Sequence, residues 1–294
     1  MKLGTRRITP YKVVSVILLV ILAFLFLFPL YWIVTGALKT AADYNATKPV
    51  WFPNEFTLNN FTKLFENRSA PLFNFFAVEG PTIPAAIRWL INTVFMAVMA
   101  MVLTCITASM AGYALAKKRF RGRAIVFGLI VCAMALPKQV ILIPLLREMR
   151  VLNLLDSLWA VIFPTVGWPF GVFLMKQFSE SIPGEILEAA RVDGASELRT
   201  FTTIVVPMVK PGIGALAIFT FINSWNDYFM QLVMLTSNSN FTISLGIATL
   251  QAETSIDVGL LMAGAALAAV PIIIVFLIFQ KYFTQGITMG AVKG

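Results

Sequence analysis

The 294-residue chain contains no histidine, and its two cysteines, Cys105 and Cys132, both fall inside long apolar stretches. Without histidine there is no imidazole ligand, acid or base, and without CxxC or a cysteine framework there is no redox or disulfide signature. No paired carboxylates and no nucleophile beside a base stand at the end of an apolar stretch. A G-x-x-x-x-G-K-[ST] phosphate loop is missing too, so the chain cannot hold nucleotide phosphates by that route. What remains is polar chemistry in apolar surroundings. Lys138 and Asp227 each interrupt an otherwise uncharged segment, and Asn223, Trp225, Asn226 and Tyr228 crowd around the second. An ionisable group at membrane depth is costly unless it pairs, snorkels or faces water. Two readings are open: static pairing with polar helix contacts, or lining of a path for a polar solute, since sugar sites use amides and aromatic rings of this kind.

The elements that position these residues follow from composition. Charged residues are 13% of the chain and apolar ones 59%, where soluble proteins carry about 25% and roughly 45–50%. An integral membrane protein fits. Uncharged runs cover 13–38, 89–116, 157–175, 228–252 and 258–280, and apolar segments 124–146 and 212–235 are broken only by Lys138 and Asp227. A crossing needs about 20 apolar residues. Six spans are therefore expected, near 13–35, 90–115, 124–146, 157–176, 212–235 and 258–280. Continuous runs rather than ten-residue alternation make them helices. The first run is too long for a signal-peptide core and lacks an A-x-A site, so it reads as a retained helix.

Short Lys/Arg-rich loops stay inside. The N-terminal segment 1–12, the run Lys117–Arg123, Lys176 with the loop 177–211, and the tail 281–294 carry fifteen basic residues, against seven in the opposite loops. Both termini are expected to be cytoplasmic, and the net charge of +9 reads as orientation and lipid contact, with no nucleic-acid partner. Residues 39–88 form a 50-residue external insert rich in turns, with Pro49, Pro53, Pro71, Pro81 and Pro84. Prolines also break the spans, at Pro137 and Pro144 in the third and at Pro164 and Pro169 beside Gly167 and Gly171 in the fourth. Such breaks are frequent in solute-moving proteins and also common in membrane helices generally. Gly259, Ala263, Gly264 and Ala268 give the sixth span a small-residue packing face.

The loop 177–211 carries five acids and only two arginines between 180 and 199, a poor match to anionic lipid. Ser181 is a candidate N-cap for a helix with Pro183 in its first turn, and Ile182, Ile186, Leu187 and Ala190 share one face. Gly194 ends or bends it, a second helical stretch runs from Ser196 to Val206, and Pro207 and Pro211 mark re-entry into the bilayer. An exposed helix tied to two spans fits a docking peg for a cytoplasmic protein.

Here a resemblance becomes specific. Glu188-Ala189-Ala190, then Asp193-Gly194, Ile204 and Pro207, resembles the EAA motif of bacterial ABC importer permeases, with Val206 where the family usually has Leu. Gly112-Tyr113-Ala114-Leu115-Ala116 before Arg121-Gly122-Arg123, Ser224-Trp225-Asn226-Asp227, and the tail Gln285–Gly294 resemble the carbohydrate-importing subgroup that includes the smaller permease of maltose importers. The resemblance implies an all-α polytopic protein of the bacterial cell membrane with the six-helix type I importer permease fold. It implies a homologous second permease subunit, two copies of a cytoplasmic ATPase that use ATP and Mg, and an external solute-binding protein. No cofactor would be held by this chain and no hydrolysis catalysed by it. The helix around Glu188 to Gly194 would enter a cleft of one ATPase, with Glu188 facing a basic residue there. The tail would extend toward the ATPase interface, and the external loop near 236–257 would meet the binding protein. A non-sugar solute such as a phosphorylated polyol is the alternative cargo. A self-powered transporter lacks support, because internal acids other than Asp227 are nearly absent and no inverted repeat is visible.

Overall fold

A computed structural model describes residues 10–72, 74–75, 78–253 and 257–291, with side chains omitted at 74–75, 78–79, 253 and 281–291. Four helices are long and apolar enough to cross a bilayer: Pro10–Ala37, Ala85–Lys117, Trp159–Glu180 and Val258–Gln280. Two bent pairs complete a set of up to six spans: Arg123–Met134 with Lys138–Val151, 107° apart, and Glu197–Met208 with Lys210–Asn226, 79° apart. In the second pair the membrane portion is Lys210–Asn226, which continues past Asp227 as Tyr228–Met234. The sixth helix runs on to Ala291, so the segment expected as a tail begins as helix. Residues 1–9 and 292–294, part of the two terminal segments read from the sequence, lie outside the described residues.

Three of the spans are interrupted where the sequence places helix breakers. Pro137 has no N–H and disfavours helical backbone at Leu136, so the third span stops at Met134 and restarts at Lys138. The 107° angle makes this a corner, where the sequence suggested one interrupted crossing over 124–146. The fourth span breaks at Gly167-Trp168, with Pro169 opening the next helix where its missing donor costs nothing. The fifth breaks at Asp227, whose carboxylate accepts the Met230 N–H at 3.4 Å and so caps Tyr228–Met234.

Buried side chains divide into two clusters. The larger gathers Trp89, Met96, Ile162, Phe221, Trp225 and Met234 with Ile243, Leu245 and Leu250. The last three belong to helix Ile243–Glu253, so the expected external loop 236–257 is largely a helix packed into the core. Its Gly246 lies under the Trp89 ring, where a Cβ would stand 2.2 Å from ring carbons. The preceding turn is pinned by Trp89 Nε1 and Asn92 Nδ2, which donate to Asn238 O at 3.0 Å and Ser239 O at 2.8 Å. Asp156 accepts the Thr236 and Ser237 N–H groups at 2.8 and 2.9 Å. Burial alone pushes the Asp156 carboxyl upward, but these bonds and those from Ser237 Oγ and Asn240 hold it below its ordinary value. The insert before Ala85 carries helices Ala41–Tyr44 and Asn59–Glu66 and two short antiparallel ribbons, Ser69–Pro71 with Thr82–Pro84 and Asn74–Phe75 with Val78–Glu79.

The smaller cluster holds Ala108, Tyr113, Met175, Ile182, Val205, Val209 and Leu216, joining spans two, four and five to the loop between the last two. Spans two and four cross here backbone to backbone. A Cβ at Gly112 would stand 2.6 Å from Lys176 N and Met175 C, atoms that no rotamer change can move. Gly112→Ala is therefore expected to destabilise the fold by about 1–3 kcal/mol through overpacking. A thermal midpoint of the purified complex equal to that of the parent would contradict this crossing.

Candidate functional site: a connector loop beneath a broken-helix cavity

The loop leaves the fourth span at Glu180, where Lys117 Nζ of span two donates to Glu180 O at 3.1 Å and Ile182 O at 2.5 Å. Ser181 is the C-cap of this span, its Oγ donating to Phe178 O at 2.8 Å, and not the N-cap of the next helix. That helix is Gly184–Val192, opened by Pro183 with extended ψ of 137°. Because Ile182 precedes the break, its four-residue spacing to Ile186 carries no helical meaning. Ile182 is buried, Leu187 half-buried and Ala190 buried, while Ile186 faces out at 39% exposure.

The helix ends in a Schellman motif. Gly194 adopts φ of +72°, Gly194 N donates to Arg191 O at 3.1 Å, and Ala195 N donates to Ala190 O at 2.9 Å. Glycine takes this left-handed conformation without the Cβ clash that other residues meet. Ser196 then caps helix Glu197–Thr200, its Oγ accepting the Arg199 N–H at 3.3 Å. The next five residues, Phe201–Val205, form a wider π turn. Pro207 lies just beyond, lacking an N–H and crowding the carbonyl of Thr203, which accounts for the widened turn. Thr203 Oγ1 donates to Arg199 O at 2.6 Å, and the chain then swings 79° into span five.

The motif residues are thus placed as follows. Glu188, Ala189, Asp193, Gly194 and Pro207 are exposed, Ile204 is half-buried and Ala190 is buried. Lys118 Nζ pairs with Glu197 Oε2. Partial burial lowers the affinity of Lys118 for its proton, but hydrogen bonds to Glu197 and Tyr113 prevail and raise its pKa. The same bond to Lys118 holds Glu197 below the usual glutamate range. Tyr113 packs on Phe201 with ring centroids 5.7 Å apart. A polar cleft of about 560 Å³ lies between Lys117-Lys118-Arg119 and Leu187, Glu188 and Arg191. So one rigid unit presents an acid-bearing helix outward and is fastened to spans two, four and five behind it.

The three helix breaks converge. Lys138 Nζ lies 2.9 Å from Asp227 Oδ2 and 3.3 Å from Asn223 Oδ1. These residues line a cavity of about 600 Å³ with Thr165, Gly167, Trp168, Phe170 and Met230. The Lys138 side chain is 48% exposed and that of Asp227 only 13%. Trp225 and Asn226, grouped with them in the sequence, do not line this cavity. Trp225 is 2% exposed in the core, stacked on Phe221 at 5.5 Å. Asn226 is exposed, with Nδ2 donating back to Ile222 O at 2.9 Å. The cause is helical phase: each residue turns about 100°, so Asn223 and Asp227 share a face and Trp225 points roughly opposite. Trp168 was not anticipated; its signal was a tryptophan held between Gly167 and Pro169 at a helix break. Among the described residues, no group of three or more His, Cys, Asp or Glu side chains could hold a metal.

A multi-spanning helical membrane protein with an ion pair in a mostly apolar cavity at converging breaks, and an exposed helix at one end, has the build of a permease. Residues 108–289 match the family of binding-protein-dependent transport system inner membrane components. The chain is 33% identical over 286 residues to the arabinooligosaccharides transport system permease protein AraQ of Bacillus subtilis, covering 97% of this chain and 96% of that one. It is 31% identical over 288 residues to the maltodextrin transport system permease protein MdxG of the same organism, covering 96% of each. The fold is similar to a chain of a bacterial ABC transporter involved in the import of the acidic polysaccharide alginate, with TM-score 0.76 and 24% identity over 96% of this chain and 100% of that one. The chain belongs to the family of binding-protein-dependent inner membrane transport components.

Proposed function

We propose that this chain forms half of the translocation path of an ATP-driven importer for a sugar or oligosaccharide. A second, homologous permease subunit supplies the other half, two cytoplasmic ATPase subunits supply the energy, and an external binding protein delivers the solute. The observation that carries this reading is the fastening of the Gly184–Val192 helix to spans two, four and five through one buried cluster and the Lys117 contacts. A helix so held moves with the spans, which is what transmission of force from an ATPase requires. Solute outside and ATP inside then bias the same inward–outward equilibrium, and the coupling is reciprocal. The sugar assignment is supported by the carbohydrate transport named for the relatives and by a cavity that sets a tryptophan beside an amide and a charge-neutral pair.

The test is reconstitution of the complex purified through a tag on this chain. Uptake of arabinooligosaccharide or maltodextrin is expected only with ATP, the ATPase and the binding protein all present. Uptake that persisted without the ATPase would overturn the reading. ATPase stimulation by a phosphorylated polyol, with none by any oligosaccharide, would overturn the sugar part alone.

A further inference from the structure

The segment after the first span exposes four large apolar side chains in a short stretch: Trp51, Phe52, Phe56 and Leu58, each between 57% and 66% exposed. Their exposure is imposed by a rigid frame. Thr57 N donates to Leu38 O at 3.0 Å, Tyr31 Oη to Trp51 O at 2.7 Å, and Asn60 Nδ2 to Ala37 O and Lys39 O at 2.9 and 2.8 Å. Asn54 Nδ2 donates to Asp43 Oδ1 at 2.5 Å, and Tyr44 Oη to Gly36 O at 2.5 Å. These bonds fold residues 38–60 back onto the end of the span with the polar groups inward. A rigid loop with that apolar side left in water would be an unusual expense.

The patch is continuous with the apolar side of the first span that this chain leaves uncovered. None of the most apolar window of that helix is buried within the chain, and its mean hydropathy is 3.1. Trp51 lies 6.0 Å from both the Phe28 and Trp32 rings, and Phe52 meets Phe56 edge-on at 5.2 Å. Depth follows from length. A hydrocarbon core crossed by about 20 residues, counted from the last basic residue before the span, Lys12, ends near Trp32. There Lys39 Nζ sits 3.9 Å over the Trp32 ring, an ammonium and an indole of the kind that gathers at the headgroup boundary.

We propose that Trp51, Phe52, Phe56 and Leu58 form a membrane-interface anchor that beds the start of the external insert in the headgroup–acyl boundary of the adjoining leaflet. Phospholipid is the occupant, and the anchor fixes the height of the insert above the bilayer. Amphipathic surfaces with aromatic faces bind at this level. The inference is independent of the cargo and of the coupling loop.

The test places a spin label at Phe52, Phe56 or Leu58 of the full complex in phospholipid nanodiscs, with Cys105→Ala and Cys132→Ala removing the native thiols. Labels at Phe24 and Glu66 serve as mid-bilayer and water references. Anchor labels are expected to show an oxygen-to-nickel-chelate accessibility ratio between the two, above that of Glu66. A ratio like that of Glu66 overturns the proposal. So does exclusion of both reagents, which identifies a protein neighbour; if it needs added binding protein, that protein is the occupant. A second readout leaves the frame intact: lipid brominated near the headgroup is expected to quench native tryptophan fluorescence more than in Trp51→Phe, and equal quenching contradicts the anchor.

Discussion

Charge reversal at Glu188 is expected to cut ATP-driven uptake about tenfold or more while the complex still folds. Glu188 is exposed and has no hydrogen-bond or ion-pair partner among the described residues, so Glu188→Lys removes no contact seen there. If its partner is a basic residue in an ATPase cleft, two like charges meet on docking, and a desolvated mismatch of this kind costs about 2–5 kcal/mol. Every 1.4 kcal/mol is about tenfold in binding. Gly194→Asp acts differently. Its φ of +72° strains a side-chain-bearing residue, though open space surrounds the position. The cost is about 1–2 kcal/mol, lessened for Asp, and it falls on the turn that sets the direction of the helix. Both variants should keep near-normal thermal midpoints and lose stimulation of the ATPase by loaded binding protein. Normal transport with normal stimulation in both would show that this helix is not the docking element.

The second large effect is an asymmetry between Lys138 and Asp227. Losing Lys138 strands a carboxylate that is only 13% exposed, whereas losing the Asp227 charge leaves an ammonium that is 48% exposed to the cavity. Breaking a buried pair costs about 3–5 kcal/mol, and the partial exposure here reduces that to roughly 1–3. Lys138→Met is therefore expected to lower stability more than Asp227→Asn, which also keeps the helix cap at Met230. The double variant should recover most of the stability lost in Lys138→Met, because no unpaired charge remains. Thermal unfolding of the three complexes measures this, and a Lys138→Met cost that persists undiminished in the double variant rules out the pair as its source.

Much of this architecture could be read from residue order, for a physical reason. Crossing a bilayer requires length and low charge, and both are local properties visible in runs such as 89–116 and 258–280. Proline and glycine likewise mark where a helix loses a hydrogen bond, so the breaks at Pro137 and Gly167 were legible. The angle was not, because 107° is set by what the two halves pack against. Opposite charges at Lys138 and Asp227 were visible too, but their meeting across 89 residues is a tertiary fact. Trp225 neighbours Asp227 in the chain, but the 100° helical step turns it away from the cavity and into the core, a difference of face that adjacency does not reveal. Ser181 was misplaced because its serine side chain suits an N-cap, while Pro183 resets the backbone two residues later. The packed helix Ile243–Glu253 was hidden in a run whose distal half looked polar, yet its burial depends on Trp89 lying over Gly246.

One measurement bears most directly on the central claim, that residues 183–207 are a cytosolic connector. Single cysteines at Glu188, Val192 and Leu198, all exposed, are placed in a chain lacking Cys105 and Cys132 and probed with a membrane-impermeant maleimide. Labelling is expected only from the cytoplasmic side, and added ATPase is expected to slow it at Glu188 more than at Leu198. Labelling from the outer face alone would contradict both the sidedness and the route by which an ATPase could act on these spans.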